Sequence, residues 1–261
     1  MLYYEIYDNK SSHWVVFVHG FGGSTLTWKK QIAAFSDYNL LLLDLPGHGN
    51  STEENQVTIY GVSARIKEVL DHLNIEKADF VGMSLGTLVL AHFALRFPDY
   101  VNSVIFGGAS LKLGGIYKPL LGIVNITKEI MPTKFLFTTM SKIILPRKNH
   151  QLSRKIFIRE SLKMKRKNVL LWVSYVWKVL NTKDMAKKLQ HLDIEMLFVS
   201  GSEDICFVKG AENMANQLPH ANFSVIEHCG HVCTIEKYQE FNRIALNFLE
   251  KIHREKEEVY A

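Results

Sequence analysis

The sequence predicts an α/β fold in which a mostly parallel sheet is covered by helices on both faces. Short apolar runs, typical of buried strands, alternate along the chain with longer segments in which apolar residues recur at helical spacing. Strands that are separated by helices favour parallel pairing. The 261 residues, 47% of them hydrophobic and 22% charged, are enough for one large core.

The predicted elements follow one another from the N-terminus. Strands are predicted at residues 2–7, 14–18, 40–43, 80–82, 103–106, 196–200 and 222–226. Helices are predicted at residues 24–35, 57–73, 87–97 and 241–253. The helix at 57–73 has the clearest periodicity, with Val62, Ile66 and Val69 on one face. The charged segment 255–261 is predicted to fray.

A serine stands between a predicted strand and a predicted helix. Ser84 is the centre of the motif Gly-Met-Ser-Leu-Gly at residues 82–86. A strand that turns sharply into a helix across Gly-x-Ser-x-Gly presents the serine hydroxyl at the edge of a sheet, as a nucleophile. The two glycines have a steric reason, because side chains there would collide with neighbouring backbone. Ser84 is therefore the candidate nucleophile.

Other chemically active groups also follow the ends of predicted strands. His19 follows the strand at 14–18, Asp204 follows 196–200, and His231 follows 222–226. In open α/β sheets, ligands bind beyond the carboxyl ends of the strands. A histidine can accept the serine proton near neutral pH, and a carboxylate can orient that histidine. The order Ser84, Asp204, His231 along the chain is the order that one catalytic architecture requires.

These motifs, spread from His19 to His231, resemble those of the α/β-hydrolase family, in its small, cap-bearing serine esterase type. The resemblance implies the α/β-hydrolase fold with a helical cap inserted after the sixth strand. The implied division is a core of residues 1–110 and 191–261 and a cap of residues 111–190.

The resemblance also implies a role for each site residue. Ser84 would be the nucleophile, His231 the general base and Asp204 the acid that orients it. The backbone N–H groups of Phe21 and Leu85 would form the oxyanion hole. Two rivals stand close in sequence: His228 competes with His231, and Glu203 competes with Asp204. The spacing of the family's motifs favours His231 and Asp204.

The predicted cap is strongly basic. Residues 111–190 contain 18 Lys and Arg against 3 Asp and Glu, whereas the remaining residues contain 13 against 23. The excess favours a solvated helical face, the electrostatic steering of anionic substrates, or peripheral contact with an anionic membrane surface. The apolar run at 169–173 suits either an interfacial helix or the roof of an acyl pocket.

Other classes of protein are disfavoured. No motif of a nucleic-acid-reading module, a dinucleotide site or a metal site is present, so we expect no cofactor and no metal. No run reaches the roughly 18 apolar residues of a membrane-spanning helix. The N-terminal residues do not have the pattern of a signal peptide, and the three cysteines favour a reducing compartment. These features predict a cytoplasmic protein of undetermined oligomeric state.

We therefore expect a serine hydrolase that cleaves a carboxylic ester through an acyl-enzyme intermediate. Its substrate would be a small acyl ester, of anionic or lipid-like character. One alternative is a C–C or thioester hydrolase, or a lyase, that uses the same triad. The lyase ranks lower because Thr87 and His92 stand where a basic residue would be expected. Another alternative is a slow-turnover receptor for a small molecule.

Overall fold

The computed structural model describes residues 1–51, 57–109, 111, 117–180 and 185–260, and these residues form a seven-stranded sheet. Its strands are β1 (Tyr4–Tyr7), β2 (Trp14–Val18), β3 (Asn39–Leu43), β4 (Ala78–Met83), β5 (Val101–Gly107), β6 (Glu195–Gly201) and β7 (Ala221–Ile226). Their order across the sheet is β1-β3-β2-β4-β5-β6-β7, and β1 runs antiparallel to β3 while the other neighbours are parallel. The predicted mostly parallel sheet is confirmed.

The α-helices connect the strands and also form one long insertion. They are α1 (Lys29–Ile32), α2 (Ile59–His72), α3 (Leu85–Arg96), α4 (Tyr117–Thr127), α5 (Thr133–Ile144), α6 (Gln151–Ser161), α7 (Arg166–Leu180), α8 (Met185–Leu189), α9 (Val208–Ala215), α10 (Cys233–Glu236) and α11 (Tyr238–Tyr260). The predicted helix at 24–35 is a 3-10 turn, Thr25–Trp28, followed by the single turn of α1.

The last helix is longer than predicted. α11 continues to Tyr260, so the fraying expected from residue 255 onward is wrong for residues 255–260; Ala261 lies outside the described residues. Two side-chain contacts lie at the start of this extension. The Lys256 ammonium hydrogen-bonds Asn102 of β5, and Lys251 and Glu255 form an ion pair one turn apart at 3.7 Å.

The two faces of the sheet bury alternate residues of each strand. Val16 and Val18 of β2 pack with α2 and α3, whereas Val15 and Phe17 pack with α11 and with the helical turns before β3. This alternation is the period of two that a strand imposes. Because both faces are covered, the strands are apolar almost throughout.

The segment between β5 and β6 contains helices and turns but no strand among its described residues. We call helices α4–α8, together with the turns that join them, the helical insertion; it follows the fifth strand in chain order, not the sixth, because five strands precede it. The apolar run at 169–173 packs inward: Val169 and Trp172 are buried, and the indole N–H of Trp172 donates to the carbonyl oxygen of Pro46 at 2.9 Å. Of the two placements that the sequence left open for this run, the structure has the buried one.

None of the helices within the described ranges is both long and apolar enough to cross a bilayer.

The start of α3 lies unusually close to β2, and this contact allows a test of the packing. A Cβ at Gly86 would lie 2.1 Å from the carbonyl oxygen of Val18, which is backbone and cannot rotate away. We expect Gly86→Ala to destabilise the protein by about 1–3 kcal/mol, as overpacking does. Urea unfolding at an unchanged slope would measure this loss.

Gly61→Ala is the matched control. A Cβ at Gly61 meets only the Thr58 side-chain oxygen, at 3.1 Å, and alanine favours the helical conformation of α2. We expect this variant to be neutral or slightly more stable. Equal stability of Gly86→Ala and wild type would show that α3 can move away from β2.

Candidate active site

Ser84 occupies a strained turn between β4 and α3. Its backbone has φ 50° and ψ −113°, a conformation that residues other than glycine rarely adopt. The turn is held from the neighbouring strand, because the Ser84 N–H donates to the carbonyl oxygen of Gly107 at 2.9 Å. Such strain persists only where the surroundings enforce it, and it lifts the Ser84 hydroxyl out of the sheet edge.

The glycines around Ser84 are required by close backbone contacts. A Cβ at Gly82 would lie 2.9 Å from the carbonyl carbon of Gly86, and one at Gly86 would collide with β2 as described above. A Cβ at Gly20, in the loop after β2, would lie 3.3 Å from the Cβ of Ser84. The steric reason that the sequence indicated for the glycine motif is thus present in the structure.

The three predicted triad residues lie together. The Nε2 atom of His231 is 2.7 Å from the Ser84 hydroxyl oxygen, and its Nδ1 atom is 2.7 Å from Oδ2 of Asp204. His231 is 3% exposed and Asp204 is completely buried, so the contact between these two residues is shielded from water, whereas Ser84 is half-buried and faces the cavity. Since Nδ1 donates to the carboxylate, Nε2 is free to accept the serine proton.

The two sequence rivals point elsewhere. The carboxylate of Glu203 faces the helical insertion, where it accepts a hydrogen bond from Nε2 of His150 at 2.8 Å. His228 has a positive φ of 52° in the turn after β7, and its backbone N–H donates to the Ser202 hydroxyl. Neither rival contacts Ser84 in the structure, whereas the preferred residues form a continuous chain of hydrogen bonds to it.

The loop after β2 lies beside Ser84 and contains Phe21. Its shape is set by His19, whose Nε2 accepts the N–H of Leu45 at 3.0 Å and whose Nδ1 donates to the carbonyl oxygen of Gly20 at 2.7 Å. Burial lowers the pKa of His19, so its ring is neutral and can make both contacts. Phe21 and Leu85 both line the cavity above Ser84. Leu85 is the first residue of α3, where N–H groups have no intrahelical acceptor.

A cavity opens directly above Ser84, between the sheet edge and the helical insertion. Its volume is about 160 Å³, many times the roughly 15 Å³ that a single water needs. Helices α3–α7 each contribute apolar side chains to its wall: Leu88, Val124, Met140, Phe157, Val173 and Trp177. Glu160 is the one carboxylate among the described lining residues, and none of them is Lys or Arg.

The cysteines near the triad are unsuited to nucleophilic chemistry. Cys206, Cys229 and Cys233 are all buried and form no disulfide. Burial raises the pKa of Cys206 and of Cys233 to about 12, and it raises that of Cys229 further. They remain protonated at neutral pH, whereas a nucleophilic cysteine acts as the thiolate.

Sequence reasoning missed a set of residues behind the triad. Arg147, Asn149 and His150 of the insertion bind the carboxylate of Glu203. Glu236 binds the backbone on both sides of His231. Neither group belongs to a motif, and the insertion residues lie more than fifty positions from Glu203 in sequence. The one signal in the sequence was Glu203, an acidic residue directly before Asp204, which was a candidate only for the role of the triad acid.

Comparison with known proteins adds sequence relatives of similar length. The 3-oxoadipate enol-lactonase 2 of Acinetobacter baylyi is 26% identical over 231 residues, which cover 87% of this chain and 85% of the relative. A pimeloyl-[acyl-carrier protein] methyl ester esterase of Vibrio atlanticus is 24% identical, with 91% of this chain and 94% of the relative covered. The chain is thus similar to enzymes that are named for different substrates.

Structural comparison supports the same fold. MenH from S. aureus superposes with a TM-score of 0.82 at 19% identity, with 97% of this chain and all of that chain covered. A family model described as the alpha/beta hydrolase fold matches residues 13–156, which is more than half of the sequence. The match includes the strained serine turn and the loop after β2. The chain belongs to the α/β-hydrolase family.

Proposed function

We propose that this enzyme is a serine hydrolase that cleaves carboxylic esters with an apolar acyl group, through an acyl-enzyme intermediate. The observation that carries the proposal is the chain of two 2.7 Å contacts from Ser84 through His231 to Asp204, at the floor of an apolar cavity. A hydroxyl nucleophile needs such an adjacent base, and the base needs a third group to orient it.

The proposed reaction has two halves. The Ser84 oxygen attacks the ester carbonyl while its proton passes to Nε2 of His231, and the imidazolium is stabilised by Asp204. The C–O bond to the alcohol then breaks, and the alcohol leaves with the proton from Nε2. Water attacks the acyl-enzyme in the same way, giving its proton to His231 and releasing the acid and the Ser84 hydroxyl.

The oxyanion in each half-reaction needs donors that are already in place. We propose that the backbone N–H groups of Phe21 and Leu85 supply them. Both residues line the cavity beside Ser84, and the positive end of the α3 dipole lies at Leu85. Such a donor typically contributes around 2.7–4 kcal/mol to lowering the barrier.

The wall of the cavity supports an uncharged, apolar acyl group. Burying a carboxylate in an apolar site without a partner is costly, and the described wall offers no Lys or Arg to pair with it. Glu160, its one carboxylate, is already paired with Arg159 at 2.8 Å and with Lys163. The name 3-oxoadipate of the Acinetobacter relative denotes a dicarboxylate, so we infer a different substrate class here.

The absence of Lys and Arg from the described wall of the cavity also ranks the alternative functions. A lyase or a C–C hydrolase on this triad would be supported by a basic group facing the substrate, and the described wall contains none. A slow-turnover receptor would use the same pocket and triad, and only turnover separates it from an esterase. The esterase is the proposal because an aligned nucleophile, base and acid are what turnover needs, whereas binding of a ligand alone needs only the pocket.

We also propose that residues 111–190 act as a cap on a core of residues 1–110 and 191–261. The described helices α4–α7 form the wall of the cavity above Ser84, which supports this division. Residues 112–116 and 181–184 of the proposed cap lie outside the described residues. A cap that closes over the ester would exclude water and determine the acyl length.

The proposed cap has an exposed apolar surface, away from the cavity, on α4 and the turn that follows it. Ile126 and Ile130 are 79% and 84% exposed, Ile123 is also exposed, and the basic residues Lys118 and Lys134 lie nearby in sequence. Isoleucines flanked by lysines suit a surface of anionic lipid. We propose peripheral membrane contact here, as a place where lipid-like esters would be met.

Loss of Ser84 tests the proposed chemistry. We expect wild type to turn over p-nitrophenyl butyrate and Ser84→Ala to lose at least about a thousandfold in kcat, since the nucleophile is gone. The buried Ser63 in α2 provides a matched control, and Ser63→Ala should keep wild-type kcat. A stoichiometric burst without turnover in wild type would instead favour the receptor.

The charge preference of the cavity can be measured with matched esters. We expect kcat/KM to be at least about tenfold higher for p-nitrophenyl butyrate than for p-nitrophenyl hemisuccinate, because the succinyl carboxylate would be buried unpaired. A series from acetate to laurate would then give the acyl length that the cavity accepts. Preference for the anionic ester would show that basic residues of the insertion reach the substrate.

Membrane contact can be tested by sedimentation with vesicles. We expect binding to vesicles that contain phosphatidylserine, weaker binding at 0.5 M salt, and a loss of binding in the double variant Ile126→Asn, Ile130→Asn. Tyr60, which is exposed on α2 outside the insertion, provides the control Tyr60→Asn. Absence of sedimentation with anionic vesicles at low salt would remove the proposal.

A further inference from the structure

A buried histidine of the helical insertion lies against both loops that carry the acid and the base of the triad. His150 ends a 3-10 turn, Lys148–His150, just before α6, and it is completely buried. Its Nε2 atom is 2.8 Å from Oε2 of Glu203 and 3.7 Å from Oε2 of Glu236. Both carboxylates are almost buried, with side chains 7% and 9% exposed. The mechanism proposed above uses none of these three side chains.

The first contact holds the loop of the acid. Glu203 directly precedes Asp204, and its carboxylate accepts hydrogen bonds from Arg147 at 2.6 Å, Asn149 at 2.7 Å and His150. These contacts, that of Asn149 above all, hold the pKa of Glu203 below its usual range. Glu203 is therefore an anion that binds the insertion at three points.

The second contact holds the loop of the base. The two oxygens of Glu236 accept the N–H groups of Gly230, at 2.9 Å, and Val232, at 3.1 Å, which are the residues on either side of His231. The ring of His150 packs directly on Gly230: a Cβ there would lie 2.7 Å from Nε2 of His150. The position before His231 is therefore restricted to glycine by a side chain of the insertion.

The two loops are also joined to each other. The backbone N–H of Glu203 donates to the carbonyl oxygen of Cys229 at 2.8 Å, and a Cβ at Gly201 would lie 2.2 Å from the carbonyl oxygen of Gly230. His150 closes this unit from the side of the insertion. Its Nδ1 accepts the N–H of Arg147 at 3.3 Å, so Nε2 is the ring atom that donates to Glu203.

A metal-binding role for the cluster finds no support. A histidine between two carboxylates has the chemistry of a ligand set, but no grouping of three or more such side chains within the described ranges could hold a metal ion. The hydrogen bonds above already use Nε2 and the oxygens that face it. The cluster is thus a junction between the insertion and the two loops.

We infer that His150 is a positioning residue, through which the docking of the insertion sets the alignment of Asp204 with His231. The inference rests on the proposed function, because alignment matters only if His231 acts as the base. His150 is not among the residues that line the cavity, so its effect on the reaction would be transmitted through Glu203 and Gly230. Displacement of a catalytic group by about 1 Å can cost about a hundredfold in rate.

Steady-state kinetics on p-nitrophenyl butyrate test this role. We expect His150→Ala to lower kcat by about 10- to 100-fold while KM stays within about threefold, because the cavity is unchanged. His150→Gln should restore most of kcat, since its amide nitrogen can donate to Glu203 from the position of Nε2. Thermal unfolding of each variant would confirm that it is folded at the assay temperature.

Asn168 provides the matched control. It is another buried polar residue of the insertion, and its amide nitrogen lies 3.4 Å from the carbonyl oxygen of Gly47, away from both triad loops. Asn168→Ala should keep kcat within about threefold of wild type. An equal fall of kcat in Asn168→Ala and His150→Ala would point to general loosening of the insertion and overturn the inference.

Other results for these variants would also decide whether His150 is a positioning residue. A folded His150→Ala with wild-type kcat, or a His150→Gln no better than His150→Ala, would overturn the inference. If His150→Ala does not fold, Glu203→Gln removes the charge without opening a cavity, and an unchanged kcat in that variant would overturn it. Wild type without Ser84-dependent turnover would overturn the proposed function itself, which is a separate result.

Discussion

The close approach of α3 to β2 is the constraint on which the site depends. With no side chain at Gly86, the first turn of α3 lies against the carbonyl oxygen of Val18, and the chain must leave β4 through a very tight turn. Ser84 takes the strained conformation of that turn, at a cost of about 1–3 kcal/mol. The cost is offset by burial of α3 in the larger core cluster and of β4, whose apolar residues pack on both faces of the sheet.

Parallel strand pairing then brings distant parts of the chain to one place. The loops that follow β2, β4, β6 and β7 all lie at the carboxyl edge of the sheet, because these strands run in the same direction. Ser84 and His231 are 147 residues apart in sequence and 2.7 Å apart in space. The register of the sheet thus places these loops side by side, and hydrogen bonds such as that from Glu203 to Cys229 join them. The helical insertion covers the same edge and completes the cavity.

Local signals explain what could be predicted from the sequence. The strands, the turn at Ser84 and the positions of Asp204 and His231 are each encoded by a short run of residues next to a strand end. The packing of the insertion is not, since it depends on tertiary contacts of side chains spread along the segment, Trp172 and His150 among them. The sequence was equally compatible with an interfacial and a buried placement of the apolar run at 169–173. Only a tertiary contact, that of Trp172 with Pro46, decides between them. The length of α11 depended in the same way on the contact between Lys256 and Asn102.

The position of the insertion bears on how such enzymes diversify. The insertion begins where β5 ends and finishes where β6 begins. Because β5 and β6 are adjacent parallel strands, these two points lie about one strand length apart, roughly 23 Å. Doubling the length of a connection adds only about 0.6 kcal/mol of closure entropy. Evolution can therefore replace most of this segment, and with it the shape of the pocket, at little cost to the sheet. The exception is the short turn that contains His150, where a replacement would have to supply a donor for Glu203 and leave room beside Gly230.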